Sequence, residues 1–371
     1  MAALVDQSLD AILAHQASTG AFLASPNLAE YRYAWLRDGA FCAHAAQLYG
    51  EIDAARRFHD WVSGTVLRHW GKLVACVAAA RRGERLPASA CFHSRFTIDG
   101  AEVPGEWGHH QLDGLGTWLW ALERFAERHQ EGALPFQWRT AADLAADYLA
   151  AMWRFPCSDW WEEGEDATHT STLAAVSAGL AAHDRLLGWR ASSRSAKAVR
   201  ETIRRRHVSA LTFVKSSADP GVDASLLSLY MPYEIVQWDD EIYQATVARI
   251  VDELATPTGV HRYADDSFYG GGEWVLLTAW LGWVYARAGE VDRAAAILTW
   301  IEAQADDEGD LPEQVPHALL TPDALPIWTE RWGAVASPLL WSHAMYLILV
   351  DELSTGSTRG LSQGLKGGHR Q

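Results

Sequence analysis

Apolar positions recur at the helical period along almost all of this 371-residue chain, and continuous strand-like alternation is nearly absent. A chain patterned this way buries its apolar stripes by packing helix on helix. The pattern predicts helices over about 2–16, 38–49, 51–81, 109–128, 138–153, 168–187, 191–206, 222–231, 239–255, 271–287, 290–305 and 338–353. Glu51 opens a helix just past Gly50, Thr168 stands where it can cap another after an acidic loop, and Gly289 separates two helices that should lie antiparallel. Short and long connections alternate, which reads as six hairpins. Six hairpins close into an all-α (α/α)6 barrel with apolar faces between an inner and an outer ring. No residue-level repeat suggests a solenoid, and no Pro/Gly/Ser linker divides the middle of the chain. One barrel domain over 1–353 is expected, followed by a polar, Gly-rich tail over 354–371 that should be disordered.

Charge and composition narrow the partners. A net charge of −16 argues against nucleic acid or an anionic membrane, both of which require a basic face, and is compatible with a neutral sugar. The start, Met1-Ala-Ala-Leu-Val-Asp-Gln, has neither a basic segment nor a long apolar run, so no signal peptide is visible. No stretch is long and apolar enough for a membrane span, and a cytoplasmic protein is the expectation. Cys42, Cys76, Cys91 and Cys157 are scattered without a C-x-x-C pair, which indicates neither a zinc site nor a dense disulfide framework. The 19 tryptophans exceed what a core needs. Many must pack between helices, but an indole also offers a flat face and one N–H donor suited to a sugar ring.

The long connections 17–37, 82–108, 154–167 and 306–337 share one composition, rich in Trp, Arg and carboxylates. In Ser158-Asp159-Trp160-Trp161-Glu162-Glu163, two carboxylates adjoin two indoles just before a helix. A carboxyl walled by Trp loses hydration of its charged form, so its pKa rises toward that of a general acid. Glu163 should face elsewhere and accept from a sugar hydroxyl. Glu313, in Leu311-Pro312-Glu313-Gln314, is a loop carboxylate with no evident structural task and comes from a distant part of the chain, as a general base facing the acid must. Tyr31-Arg32-Tyr33-Ala34-Trp35-Leu36-Arg37-Asp38-Gly39 places a donor and an acceptor, Arg37 and Asp38, side by side to grip vicinal hydroxyls. Glu106-Trp107-Gly108-His109-His110-Gln111-Leu112-Asp113 sets an indole and polar groups at another helix start. Its adjacent histidines cannot easily ligate one metal together. Arg262-Tyr263-Ala264-Asp265-Asp266-Ser267-Phe268-Tyr269-Gly270-Gly271-Gly272-Glu273-Trp274 lacks the G-K-[ST] of a phosphate loop. Each segment also has an ordinary reading: an acidic helix start, a solvated loop carboxylate or a local ion pair.

Taken in order, these five segments resemble glycoside hydrolase family 15, the glucoamylase family, from Gly20-Ala21-Phe22 to Trp341-Ser342-His343-Ala344. The resemblance implies an (α/α)6 barrel and hydrolysis with inversion at the anomeric carbon. It implies Glu162 as general acid, Glu313 as general base and Tyr31 beside the nucleophilic water. Arg37 and Asp38 match the pair gripping the nonreducing glucose, and Trp107 matches an indole over the acid. Glu163 and Arg262 match groups near the sugar hydroxyls and the leaving sugar, and Trp341 matches one in the pocket wall; Trp35 joins these as a substrate-binding candidate. Phe268 stands where many members carry a second Tyr that bonds the one matching Tyr31. In this it is similar to compact members acting on isomaltose. Many bacterial members carry an N-terminal β-sandwich and many fungal ones a starch-binding module, whereas this sequence opens almost directly on its first expected helix, from which short imported oligosaccharides are the expected substrates.

The resemblance therefore implies an exo-acting, inverting α-glucoside hydrolase that releases β-glucose from short α-glucooligosaccharides, isomaltose among them, without metal or organic cofactor. The two carboxyls should lie roughly 6.5–9.5 Å apart to admit a water. The alternatives are α-1,4 maltooligosaccharides or starch, trehalose, an (α/α)6 sugar epimerase or isomerase, and a noncatalytic glycan-binding protein. Epimerases of that kind use paired histidines, which do not fall in these loops in a matching pattern.

Overall fold

The structure is a computed structural model that describes residues 2–105, 107–129 and 132–366. Glu106 of the fourth segment, and 367–371 of the tail, lie outside the described residues. In chain order the helices are α1 (Ala2–Ala14), α2 (Leu36–Leu48), α3 (Ile52–Arg68), α4 (Trp70–Arg81), α5 (Asp113–Arg128), α6 (Phe136–Met152), α7 (Thr170–Leu187), α8 (Arg190–Arg206), α9 (Glu241–Leu254), α10 (Val275–Ala288), α11 (Val291–Glu302), α12 (Ala324–Trp332) and α13 (Leu340–Lys366), with a 3₁₀ helix at Ala224–Leu229 between α8 and α9. Six two-residue strands lie between them: β1 (Ala34–Trp35), β2 (Arg95–Phe96), β3 (Val208–Ser209), β4 (Thr212–Phe213), β5 (Glu273–Trp274) and β6 (Gln314–Val315).

The inner ring closes on itself. α2 packs on α5, α5 on α7, α7 on the 3₁₀ helix, that helix on α10, α10 on α13, and α13 back on α2. Helices α1, α3, α6, α8, α9 and α11 alternate with these in the chain and form the outer ring, which makes an (α/α)6 barrel. The sequence patterns explain the partition. On α10, every residue from Val275 to Tyr285 is buried, as a helix apolar on all sides must be. On α8 only Ser192, Ala196, Val199 and Ile203 are buried, a single stripe repeating every three or four residues beneath a basic outer face. Helices α5 and α7 pack backbone to backbone, where a Cβ on Gly116 would lie 2.4 Å from the Ala175 carbonyl oxygen.

Several expectations are corrected. The helix expected over 51–81 breaks at His69, whose ring lies 2.9 Å from the Gly100 carbonyl oxygen and packs on Phe92 and Phe96. The segment expected over 222–231 is the short 3₁₀ helix, capped where the Asp223 carboxylate accepts from the Ser225 N–H. It ends before Pro232, which has no N–H with which to continue. Thr168 does not cap α7; its hydroxyl pairs with His207, and His169 occupies the N-cap. The connection over 306–337 contains α12. The last helix continues past the 353/354 boundary expected from composition. Glu51 and Gly289 do flank α3 and α10 as expected. All four cysteines are buried free thiols. No helix among the described residues is long and apolar enough to cross a membrane.

Candidate active site

The N-terminal ends of the inner helices α2, α5, α7, α10 and α13 all follow long loops, and these loops converge on one cavity of about 320 Å³. Two short antiparallel pairs tie them together: β1 with β2 ahead of α2, and β5 with β6 ahead of α10. All eleven residues expected from sequence line this cavity: Tyr31, Trp35, Arg37, Asp38, Trp107, Glu162, Glu163, Arg262, Phe268, Glu313 and Trp341.

Glu162 stands at the tip of a tight turn before α7 with φ 63°, a left-handed conformation costly for a residue with a side chain. The Asp159 carboxylate holds the turn by accepting from the N–H groups of Trp161 and Glu163, each at 2.9 Å. Gly108 lets the Trp107 loop press against it, since a Cβ there would meet the Glu162 carbonyl oxygen at 2.5 Å. Three donors converge on a single oxygen, Glu162 Oε1: Gln111 Nε2 at 3.0 Å, Trp35 Nε1 at 3.2 Å and an Arg37 guanidinium nitrogen at 3.5 Å. The Glu162 carboxyl is pushed up to about 8. Burial dominates, Arg37 opposes it, and the carboxylates of Asp38, Asp113 and Asp159 add to it.

Glu313 lies in the long connection before α13 and lines the same cavity, its carbonyl accepting from Val275 N–H at the start of α10 at 3.1 Å. Its backbone is fixed by Glu313 N–H donating to the Ala336 carbonyl at 2.9 Å and by the β6 pairing of Gln314. The Gln314 side chain accepts from Gly272 N–H and donates to the Phe268 carbonyl, fastening the Phe268 loop beside it. Tyr31 donates to Glu313 Oε1 at 3.0 Å, while Oε2 is buried and accepts nothing from the protein. Burial pushes this carboxyl to about 8 as well, against the Tyr31 hydrogen bond and Arg262, which favour the charged form. Phe268 contributes no hydroxyl, and among the described residues the Tyr31 phenol hydrogen-bonds to the Glu313 carboxylate.

The remaining side chains divide between anchoring and open polar groups. Arg37 is paired with Asp113 at 2.7 Å and lies 3.7 Å from Asp38, with its guanidinium 5.8 and 5.1 Å from the ring centroids of Trp160 and Trp341. Asp38 Oδ2 and Trp341 Nε1 are buried without a hydrogen bond from the described residues. Burial raises the Asp38 carboxyl to about 6. Arg262 is held by Asp266 in a two-pronged pair at 2.8 and 2.5 Å and reaches within 3.8 Å of Glu163. Glu163 also accepts from the Tyr263 hydroxyl at 2.7 Å. Eight of the 19 tryptophans line the cavity, namely 35, 107, 160, 161, 274, 328, 332 and 341. Sequence reasoning assigned no role to Gln111, Asp113, Asp159 or Asp266, which act through other residues. It also passed over Trp328, Arg331 and Trp332, which arrive on α12. Two carboxyls with raised pKa in one indole-walled pocket are suited to protonating a leaving oxygen and activating water.

Residues 1–319 match the model of the family described as glycosyl hydrolases family 15. The chain is 44% identical over 349 residues to the isomaltose glucohydrolase of Kribbella flavida, covering 92% of this chain and 90% of that one. Among solved structures, a glycosidase variant in complex with glucose is 43% identical, with a TM-score of 0.90 over 95% of this chain and 96% of that one. A bacterial glucoamylase complexed with acarbose, at 20% identity, shares the fold with a TM-score of 0.74 over 95% of this chain and 55% of that one.

Proposed function

The chain belongs to family 15 of the glycosyl hydrolases, and on that premise we propose that it removes single glucose units, with inversion, from the nonreducing end of short α-1,6-linked glucosides such as isomaltose. The observation that carries the reading is the asymmetric occupation of the two carboxyls. Glu162 Oε1 is saturated by three N–H donors, so a proton on this group resides on Oε2. Glu313 has one oxygen held by Tyr31 and the other free to accept from water. Glu162 Oε2 protonates the glycosidic oxygen as Glu313 Oε2 takes a proton from water attacking the opposite face of the sugar. Asp38 and the neighbouring carboxylates favour the positive charge that develops at the anomeric carbon. The Asp38 oxygen and the Trp341 N–H that lack hydrogen bonds within the protein are the groups assigned to the hydroxyls of the bound glucose.

The linkage rests on Phe268 and on similarity to an isomaltose glucohydrolase. A cytoplasmic enzyme acting on imported oligosaccharides fits this substrate. Proton NMR of fresh reaction mixtures tests the reading: β-glucose should appear first from isomaltose, and faster than from maltose, trehalose or soluble starch. Release of α-glucose first, or an epimerised monosaccharide in place of glucose, refutes it.

A further inference from the structure

We propose that α12 is the specificity element for the leaving sugar, closing the outer end of the pocket through Trp328, Arg331 and Trp332 so that a disaccharide fits and a longer chain does not. The inference rests on the hydrolytic reading of the site and goes on to assign its substrate length. None of the nine residues of α12 is buried, Trp332 on it packs against the edge of the core, and Ile327 is 65% exposed. Its attachment is to the site. Ahead of it, Thr321 N–H donates to the Gly270 carbonyl at 2.9 Å, tying it to the loop that carries Phe268. Trp328 and Trp332 then meet the Phe268 ring at 5.0 and 5.9 Å between centroids.

From the other side of the mouth, Trp107 stacks on Trp332 at 5.7 Å with 23° between planes. Two loops far apart in sequence thus meet in an aromatic arch over the rim. The cavity beneath, about 320 Å³, is at the small end of the roughly 300–1,000 Å³ range for small-molecule sites. Arg331 lines it while exposed, its guanidinium 5.4 and 5.2 Å from the Trp328 and Trp332 rings. It presents N–H donors where the hydroxyls of a second sugar would lie, beyond the glucose held by Arg37 and Asp38. A helix with no buried residue, but with three side chains in the pocket, is placed for recognition.

The test compares kcat/KM on isomaltose, isomaltotriose and α-glucosyl fluoride, whose leaving group has no sugar to hold, for the native enzyme and for Trp332→Ala, Trp328→Ala and Arg331→Met. The native enzyme should prefer the disaccharide to the trisaccharide. Trp332→Ala should raise the tri- to disaccharide ratio about tenfold, and Arg331→Met should lose at least fivefold more on isomaltose than on the fluoride, chiefly through KM. Because α12 is solvent-facing, circular dichroism should show all three variants folded; if one is not, the other two decide. Ratios unchanged within twofold in the folded variants, or a native preference for the longer chain, overturn the assignment while leaving the hydrolytic reading intact. A native enzyme that releases glucose from none of the three substrates overturns that reading and the assignment with it.

Discussion

Three N–H groups on Glu162 Oε1 and one phenol on Glu313 Oε1 distinguish two carboxyls of like pKa, and so support the separate roles proposed for them. The separation has a kinetic signature. A general acid matters in proportion to how poorly the leaving group departs unaided, whereas a general base is needed for water whatever departs. Glu162→Gln should lose roughly 10²–10⁴-fold on isomaltose but far less on α-glucosyl fluoride, and Glu313→Gln should lose heavily on both. Equal losses for Glu162→Gln on the two substrates would remove it from the acid role. The pH profile gives a second handle. With the proposed acid and base both at about 8, kcat/KM for isomaltose should trace a narrow bell about that value; for the fluoride, which needs no proton, the alkaline limb should vanish and the rise with ionisation of Glu313 remain. Most of the groups that touch substrate in this scheme were legible in the sequence because indole, carboxylate and arginine recur together in loops. Gln111 and Asp159 were not, since each acts by aiming Glu162, a relation that exists only once the α5 and α7 loops meet.

Those loops meet because α5 and α7 pack at glycine. A Cβ on Gly116 would lie 2.4 Å from the Ala175 oxygen, and one on Gly179 would lie 2.6 Å from the Gly116 oxygen. The obstacles are backbone atoms, which cannot swing aside as a flexible side chain would. Gly116→Ala should therefore push the two helices apart and cost about 1–3 kcal/mol in urea unfolding. It should also depress kcat, because Glu162 precedes α7 and its donor Gln111 precedes α5; an unchanged midpoint and kcat would show that the contact yields. At this scale the sequence displayed its long helices well and its exceptions poorly. α3 and α4 both keep helical periodicity, so nothing but the His69 ring turning toward Gly100 marks the break between them. The 3₁₀ segment Ala224–Leu229 is buried at all six positions and offers no amphipathic contrast to read. α12 contains Pro326 and finds its apolar partners, Phe268 and Trp107, on other loops. Its stripe has meaning only in the folded molecule.

Across the whole molecule, burial has moved ionisable groups in two opposing directions, and their sum fixes where the fold is most stable. Glu162 and Glu313 are raised from 4.5 to about 8, and Asp38 and Asp159 from 3.8 to about 6. A raised carboxyl binds its proton more tightly in the folded than in the unfolded chain, so it contributes stability at low pH that is lost as pH rises from the unfolded toward the folded value. His44, His59 and His343 are lowered from 6.5 to about 3, and His93 and His207 to about 4, chiefly by burial. A lowered histidine has the opposite sign: its contribution is complete above 6.5 and is lost as pH falls toward the folded value. Between about 4.5 and 6.5 the two sets slope against each other and nearly cancel. Above 6.5 only the carboxyls still slope, and below about 4.5 the histidines dominate. Scanning calorimetry should accordingly find Tm broadly flat in mildly acidic buffer, with a decline toward pH 8 and a steeper one below pH 4. The alkaline decline belongs mainly to the two glutamates. Glu162→Gln and Glu313→Gln should each raise stability at pH 8 by about 0.5–2 kcal/mol and leave it nearly unchanged at pH 5, where both carboxyls are already protonated in the fold. A variant equally stabilised at both pH values would point to better packing of the amide rather than to relief of a buried charge. No gain at pH 8 would mean that the site holds its ionised carboxylates without cost.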